Sequence, residues 1–232
     1  MPEHEDLTFD PDKFSGVARL FPLPNLVLFP HVMQPLHIFE PRYRAMMEEA
    51  IEGDQLITLA LFAPGWEKQY EGRPPLLPMA CLGRIATFQR LPDDRFNLLL
   101  LGLRRVRIES ELPPAKLFRE ANVTVCEDVY SSATAPTRAG LQKQLADCFK
   151  RILPTLDEAH EQIGELLGSD VPLGVLTDIV SYTLDLGMPL KEQLLHECSV
   201  DRRAALLVDY LQKGGKVRTL GRAGFPPEFS VN

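Results

Sequence analysis

The residues able to act as nucleophiles, bases or metal ligands in this 232-residue chain are few and scattered. Cys81, Cys126, Cys148 and Cys198 form no CxxC pair, and His4, His31, His37, His160 and His196 form no HxxxH pair. A zinc site needs closely spaced ligands, so no metal is expected. His196 is the one histidine with a serine or cysteine close by, Cys198 and Ser199. Two positions apart on a helix, Cys198 and His196 point away from each other, and Ser199 reads as a helix cap. There is no GxSxG elbow and no GxxxxGK[ST] loop to cradle nucleotide phosphates. A cryptic hydrolase is therefore the weakest of three functional readings, and no catalytic residue and no cofactor is expected.

What remains is the chemistry of recognition. The stretch Ala63 to Pro78 holds the single tryptophan, Trp66, with Tyr70, Arg73, Leu76 and Leu77 nearby and Phe62 at its entrance. Trp, Tyr and Arg are the types most enriched at binding hot spots. Pro64, Pro74, Pro75 and Pro78 stiffen the stretch and reduce the entropy lost on binding. These six side chains are the candidate partner-binding residues. The competing reading is that Trp66 folds back and plugs the rim of the fold. A second candidate is basic: Arg84, Arg90, Arg95, Arg104, Arg105 and Arg107 fall on one hairpin, which suits an RNA-associated module. Strand alternation sends Arg105 and Arg107 to one face and Arg104 to the other, so the six do not make one patch. A formal charge of −7 also argues against nucleic acid, which demands concentrated positive charge.

These residues need elements to hold them. Short apolar runs at Val17–Phe21, Val27–Phe29, Gln34–Phe39 and Leu56–Phe62, bounded by proline or glycine, read as strands. Met79–Arg90 and Phe96–Arg107 flank Leu91-Pro92-Asp93-Asp94-Arg95, whose residues suit a type I turn, so they read as a hairpin. Gly83 and Gly102 interrupt both strands and predict bulges or barrel corners. Phe118–Val129 is a further strand. Pro41 opens a helix whose apolar face is Tyr43, Met46, Met47, Ala50 and Ile51, ended by Gly53. Glu40 is placed to cap it, accepting the free N–H groups of the first turn.

After the small, polar stretch from Tyr130 to Pro136 the period becomes helical. Five stripes follow: Leu141–Ile152, Leu156–Leu167, Leu173–Leu184, one beginning at Leu190, and one capped by Ser199 that carries Leu206, Leu207, Tyr210 and Leu211. The expected organisation is a flexible acidic N terminus over 1–16, a β-barrel over 17–130, a helical bundle over 137–213 and a flexible tail over 214–232.

Residues Leu20 to Tyr43, LFPLPNLVLFPHVMQPLHIFEPRY, resemble the opening of the Lon-protease N-terminal (LON substrate-binding) domain. The matching positions include Phe29, Pro30, Phe39, Glu40, Pro41, Arg42 and Tyr43. The strands around Gly83 and Gly102 and the stretch KEQLLHECSVDRRAALLVDYL, Lys191 to Leu211, are similar to later parts of the family pattern. The resemblance implies an α+β fold, a PUA-like β-pseudobarrel with one inserted helix followed by an α-helical bundle. It also implies a non-enzymatic module that engages unfolded or extended polypeptide, or a protease or chaperone partner, as an adaptor in protein quality control. The chain departs from full Lon proteases in having neither the P-loop nor room for a protease domain. Residues 1–12 carry five acids and no lysine or arginine, unlike a signal peptide. No apolar run is long enough to span a membrane. With widely spaced, reduced cysteines, the expected location is cytoplasmic.

Overall fold

The computed structural model describes residues 9–69, 72–152 and 171–214. They divide between Cys126 and Glu127 into two compact units. The first holds β1 (Val17–Leu23), β2 (Met33–Ile38), α1 (Pro41–Glu52), β3 (Leu56–Leu61), β4 (Met79–Arg90), β5 (Phe96–Glu111) and β6 (Arg119–Cys126). The strand order is β2-β5-β4-β3-β1-β6, and an additional β5–β6 pairing closes five of the strands into a barrel from which β2 branches. All neighbours are antiparallel except β1 and β3, where Leu20 lies beside Thr58 and Leu23 beside Leu61.

Closure depends on the 16 residues of β5. Its first part, Phe96 to Leu101, pairs with β2, and its later part, Arg105 to Glu111, pairs with β6. Between them the strand turns at Gly102, which faces Gly83 across a register shift. A Cβ on Gly102 would sit 2.0 Å from the carbonyl oxygen of Phe29, so only glycine lets the two backbones meet there. The expected barrel corner is thus real. The same contact explains a difference from expectation. Val27–Phe29 is buried but is not a strand. Its chain presses against Gly102, and the hydrogen bonds there run from His31 N to Gly102 O (2.8 Å) and from Gly102 N to Val32 O (2.9 Å).

The β4–β5 turn has the hydrogen bond from Asp94 N to Leu91 O (3.1 Å), with Asp94 at φ 60°. A type I turn followed by a left-handed residue is a standard tight hairpin link, and aspartate tolerates that conformation.

In the barrel interior, Ala18, Ala60, Ala80 and Ala121 pack with Leu20, Leu56, Leu82, Leu103, Val106 and Val123. Helix α1 buries Tyr43, Met46, Met47 and Ala50, as its spacing predicted, and Tyr43 meets the ring of Phe21 edge-on at 4.5 Å. Ahead of β1, Phe9 and Phe14 pack on each other and on the barrel core. The physical reason is that two phenylalanines gain more from covering apolar surface than a short segment loses in entropy.

The second unit contains α2 (Ala135–Ile152), α3 (Leu173–Thr183), α4 (Met188–His196) and α5 (Val200–Gln212). The expected helix at Leu156–Leu167, the first eight residues and the tail beyond Gly214 lie outside the described residues. Ser199 caps α5 as expected, accepting from Arg202 N at 3.5 Å. The centre of this unit is ionic as well as apolar. Arg203 is fully buried and donates to both carboxylate oxygens of Asp128 (3.0 and 2.8 Å), to Thr177 Oγ1 (2.9 Å) and to the Glu197 carbonyl (2.9 Å). Buried Asp178 lies 3.5 Å from it.

Candidate functional site

The stretch from Ala63 to Pro78 joins β3 to β4 at one mouth of the barrel. Because β1 and β3 run in parallel, this is the mouth at their C-terminal ends. The stretch leaves and returns through backbone bonds. Phe62 bridges Leu76, Ala63 N donates to Pro75 O (2.8 Å), Leu77 N to Leu61 O (2.9 Å) and Ile108 N to Pro78 O (2.8 Å). Gly65, at φ 88°, allows the reversal that starts a short 3-10 turn at Trp66. That turn lays the indole over Phe62 with ring centroids 5.2 Å apart and planes 15° from parallel.

Phe62, Trp66 and Leu76 are therefore brought together. Phe62 is buried, Trp66 is half-buried, and Leu76 is half-buried against the barrel interior. Trp66 does fold back onto the rim, as the plug reading expected, yet it stays half-exposed. Leu77 is half-buried and follows Leu76, so alternation turns it to the other side. Arg73 stands apart and exposed, reaching the Leu112 carbonyl at 3.4 Å. Tyr70 lies outside the described residues.

One clamp was not legible in the sequence. Arg119 on β6 is buried and holds the returning arm. Its Nη1 donates to Pro74 O (2.8 Å), while Nε and Nη2 grip Glu111. Nothing in the local pattern distinguishes Arg119 from the solvated arginines, since only the long-range fold places it under the loop.

The segment around Phe39-Glu40-Pro41-Arg42-Tyr43 is mostly structural. Phe29 is buried, and Pro30 with it. Glu40 occupies the N-cap position of α1 without a side-chain cap bond, contrary to expectation. Its longer side chain reaches Arg42 instead (2.8 Å), and that guanidinium lies 4.6 Å over the Tyr43 ring. Phe39 is 36% exposed and stacks on His37 at 6.0 Å. Phe21, His37, Ile38, Phe39, Glu40 and Tyr43 line only a shallow surface dent with no room for a water-sized ligand.

The hairpin arginines do not assemble into a basic face. Arg105 is buried, only 2% exposed, which corrects its placement on an RNA-facing surface. Arg90 pairs with Glu48 and Asp94, and Arg95 with Asp93. Cys198 Sγ approaches the backbone carbonyl of His196 at 3.9 Å. Among the described residues no three potential ligands cluster as a metal site, and no helix is long and apolar enough to cross a membrane.

Charge elsewhere serves the fold. Burial disfavours the Glu49 carboxylate, but Lys116 and Arg19 outweigh it and hold its pKa below the ordinary value. In the helical unit a hydrogen bond from Arg138 holds Asp201 down at about 2. Burial alone pushes Tyr182 up to about 12.

A family model described as the ATP-dependent protease La (LON) substrate-binding domain matches residues 17–213. Lon protease 2 of Myxococcus xanthus is 25% identical over 204 residues, covering 88% of this chain and 24% of the relative. Lon protease of Desulfosudis oleivorans is 21% identical over 210 residues, covering 90% of this chain and 25% of the relative. The chain thus spans about a quarter of the length of these curated relatives. The N-terminal domain of Mycobacterium avium complex Lon protease superposes with a TM-score of 0.67 at 16% identity, covering 84% of this chain and 98% of that one. A Lon N-terminal domain protein from Xanthomonas campestris gives 0.59 at 22% identity with the same coverage. These structures share the fold.

Proposed function

This chain belongs to the LON substrate-binding domain family, and from that premise we propose that it captures extended or unfolded polypeptide at the loop-closed mouth of its barrel. The observation that supports the reading is the Phe62–Trp66 stack, set on a loop clamped at both ends yet half-exposed. A clamped aromatic platform loses little entropy on binding, and an extended chain offers apolar side chains to cover it. Leu76 and Leu77 extend the apolar rim, and Tyr70 and Arg73 complete the contact set. Binding draws on burial of apolar area, roughly 25 cal/mol per Å². The chain acts as a cytoplasmic adaptor that hands its cargo to a protease or chaperone, and it carries out no catalysis of its own.

Trp66→Ala tests this. A tryptophan hot spot is worth about 2 kcal/mol or more, so affinity for a reduced, alkylated model polypeptide is expected to fall roughly 30-fold. An unchanged affinity removes the loop from the binding site. The pairing of Arg90 and Arg95 with acids, and the burial of Arg105, favour the polypeptide reading over the RNA one.

A further inference from the structure

The first part of β5 runs between two strands, β2 on one side and the last part of β4 on the other. On its far side β4 pairs with β3 only from Cys81 to Arg84, and Ile85 N still reaches Gln55 O (2.9 Å). Beyond that point no strand lies along the outer side of β4 among the described residues. The place in the sheet that β3 vacates is open along Thr87–Arg90.

The phase of the hairpin sets which groups face that opening. Leu91 N donates to Arg95 O (2.8 Å), so Leu91 turns its main-chain groups toward β5. Residues of an antiparallel strand alternate in this respect. Gln89 and Thr87, across from Asn97 and Leu99, therefore also face β5, and Phe88 and Arg90 turn their N–H and C=O outward. Two donor–acceptor pairs about 7 Å apart are a pattern that another extended backbone matches group for group. Phe88 adds an aromatic ring that is 43% exposed. The one charge on the segment, Arg90, is already matched by Glu48 and Asp94.

The other outer strand is different. On β2, Pro35 pairs with Leu99, whose main-chain groups serve Thr87 of β4. Pro35 thus faces away from β5 and has no N–H to offer there. A proline so placed blunts an edge against further pairing, and Thr87–Arg90 contains none.

We propose that the Thr87–Arg90 edge takes an extended polypeptide as an added strand, antiparallel to β4 and in line with β3, with Phe88 packing on its side chains. This rests on the polypeptide-binding reading and gives the same ligand a second contact, at the far end of β4 from the Trp66 loop. Main-chain groups carry the contact, so it selects for an extended backbone rather than for a sequence motif.

The test titrates the full ¹⁵N-labelled chain with the reduced, alkylated, tryptophan-free polypeptide, following amide exchange and Trp66 emission together. At saturation the Phe88 and Arg90 amide hydrogens are expected to exchange at least about tenfold more slowly. Those of Thr87 and Gln89, already bonded to β5, are expected to change little. Phe88→Pro removes a donor that the β4–β5 ladder does not use and is expected to weaken binding about tenfold or more. Phe88→Ala keeps the donor and is expected to weaken it less. If the polypeptide binds and moves Trp66 emission while exchange at Phe88 and Arg90 is unchanged, the added strand is overturned and the loop reading stands. If the two amides are protected while Trp66 emission is unchanged, the loop reading fails and the added strand stands. Protection that appears without polypeptide and grows with protein concentration assigns the edge to a second copy of the chain and also overturns the proposal.

Discussion

Replacing Asp128 with asparagine keeps the shape of the side chain and deletes one charge from the ionic centre of the helical unit. Arg203 is 0% exposed and grips Asp128 through two nitrogen–oxygen contacts of 3.0 and 2.8 Å. Breaking one side of a buried ion pair costs about 3–5 kcal/mol, because the remaining charge is stranded. Two features lower that figure here. Asp178 still lies 3.5 Å from Arg203, and the Asp128 side chain is 23% exposed. The expected loss is therefore about 2–3 kcal/mol. With a urea slope of about 1–3 kcal/mol per molar, the midpoint drops by roughly 0.7–3 M. Ellipticity at 222 nm, weighted toward the helices, reads this transition, while Trp66 emission follows the barrel unit. A 222 nm transition that moves by less than about 0.5 M would contradict the view that Asp128 neutralises a buried cation.

Gly102→Ala places a Cβ 2.0 Å from the Phe29 carbonyl oxygen, and a backbone contact that short cannot relax cheaply. A loss of about 3 kcal/mol or more is expected in denaturant titrations read by Trp66. Asp201 has its folded pKa depressed to about 2 from 3.8, so its contribution is complete above pH 4 and is lost as pH falls toward 2. That contribution is about 2 kcal/mol, and Asp201→Asn is expected to flatten the acid limb of a 222 nm pH titration. Ser199→Ala removes a real cap and costs about 1 kcal/mol. Glu40→Ala, at a cap position without a cap bond, costs less, since it removes only a partly exposed ion pair. Chemical denaturation of the two variants ranks them.

Local signals carried much of this fold. The period of α1, the turn chemistry at Pro92-Asp93 and the interrupting glycines all act within a few residues, and each is borne out, whereas β1 runs through Pro22, which was expected to end it. Val27–Phe29 has the composition of a strand but is held irregular by Gly102, more than 70 positions away, an influence no window detects. Charged residues were the least legible. Nothing in the local sequence sets Arg105, Arg119 and Arg203 apart from solvated arginines, and only tertiary packing makes them interior. At the loop, residue types pointed to Phe62, Trp66 and Leu76, but their convergence depends on the Phe62–Leu76 bridge and the Gly65 reversal. The helix N-cap illustrates the limit from the other side. Ser199 and Glu40 occupy equivalent positions, and the shorter side chain bonds the backbone while the longer one finds Arg42.

The central claim is that the loop-closed mouth is where polypeptide binds. The chain contains a single tryptophan, which sits on that mouth, so its emission reports directly on the site. The decisive measurement is a titration of the full chain with a reduced, alkylated, tryptophan-free polypeptide, reading Trp66 emission and binding by an independent method in parallel. A blue shift that saturates with the binding isotherm is the predicted result. Saturable binding with Trp66 emission unchanged would contradict the account.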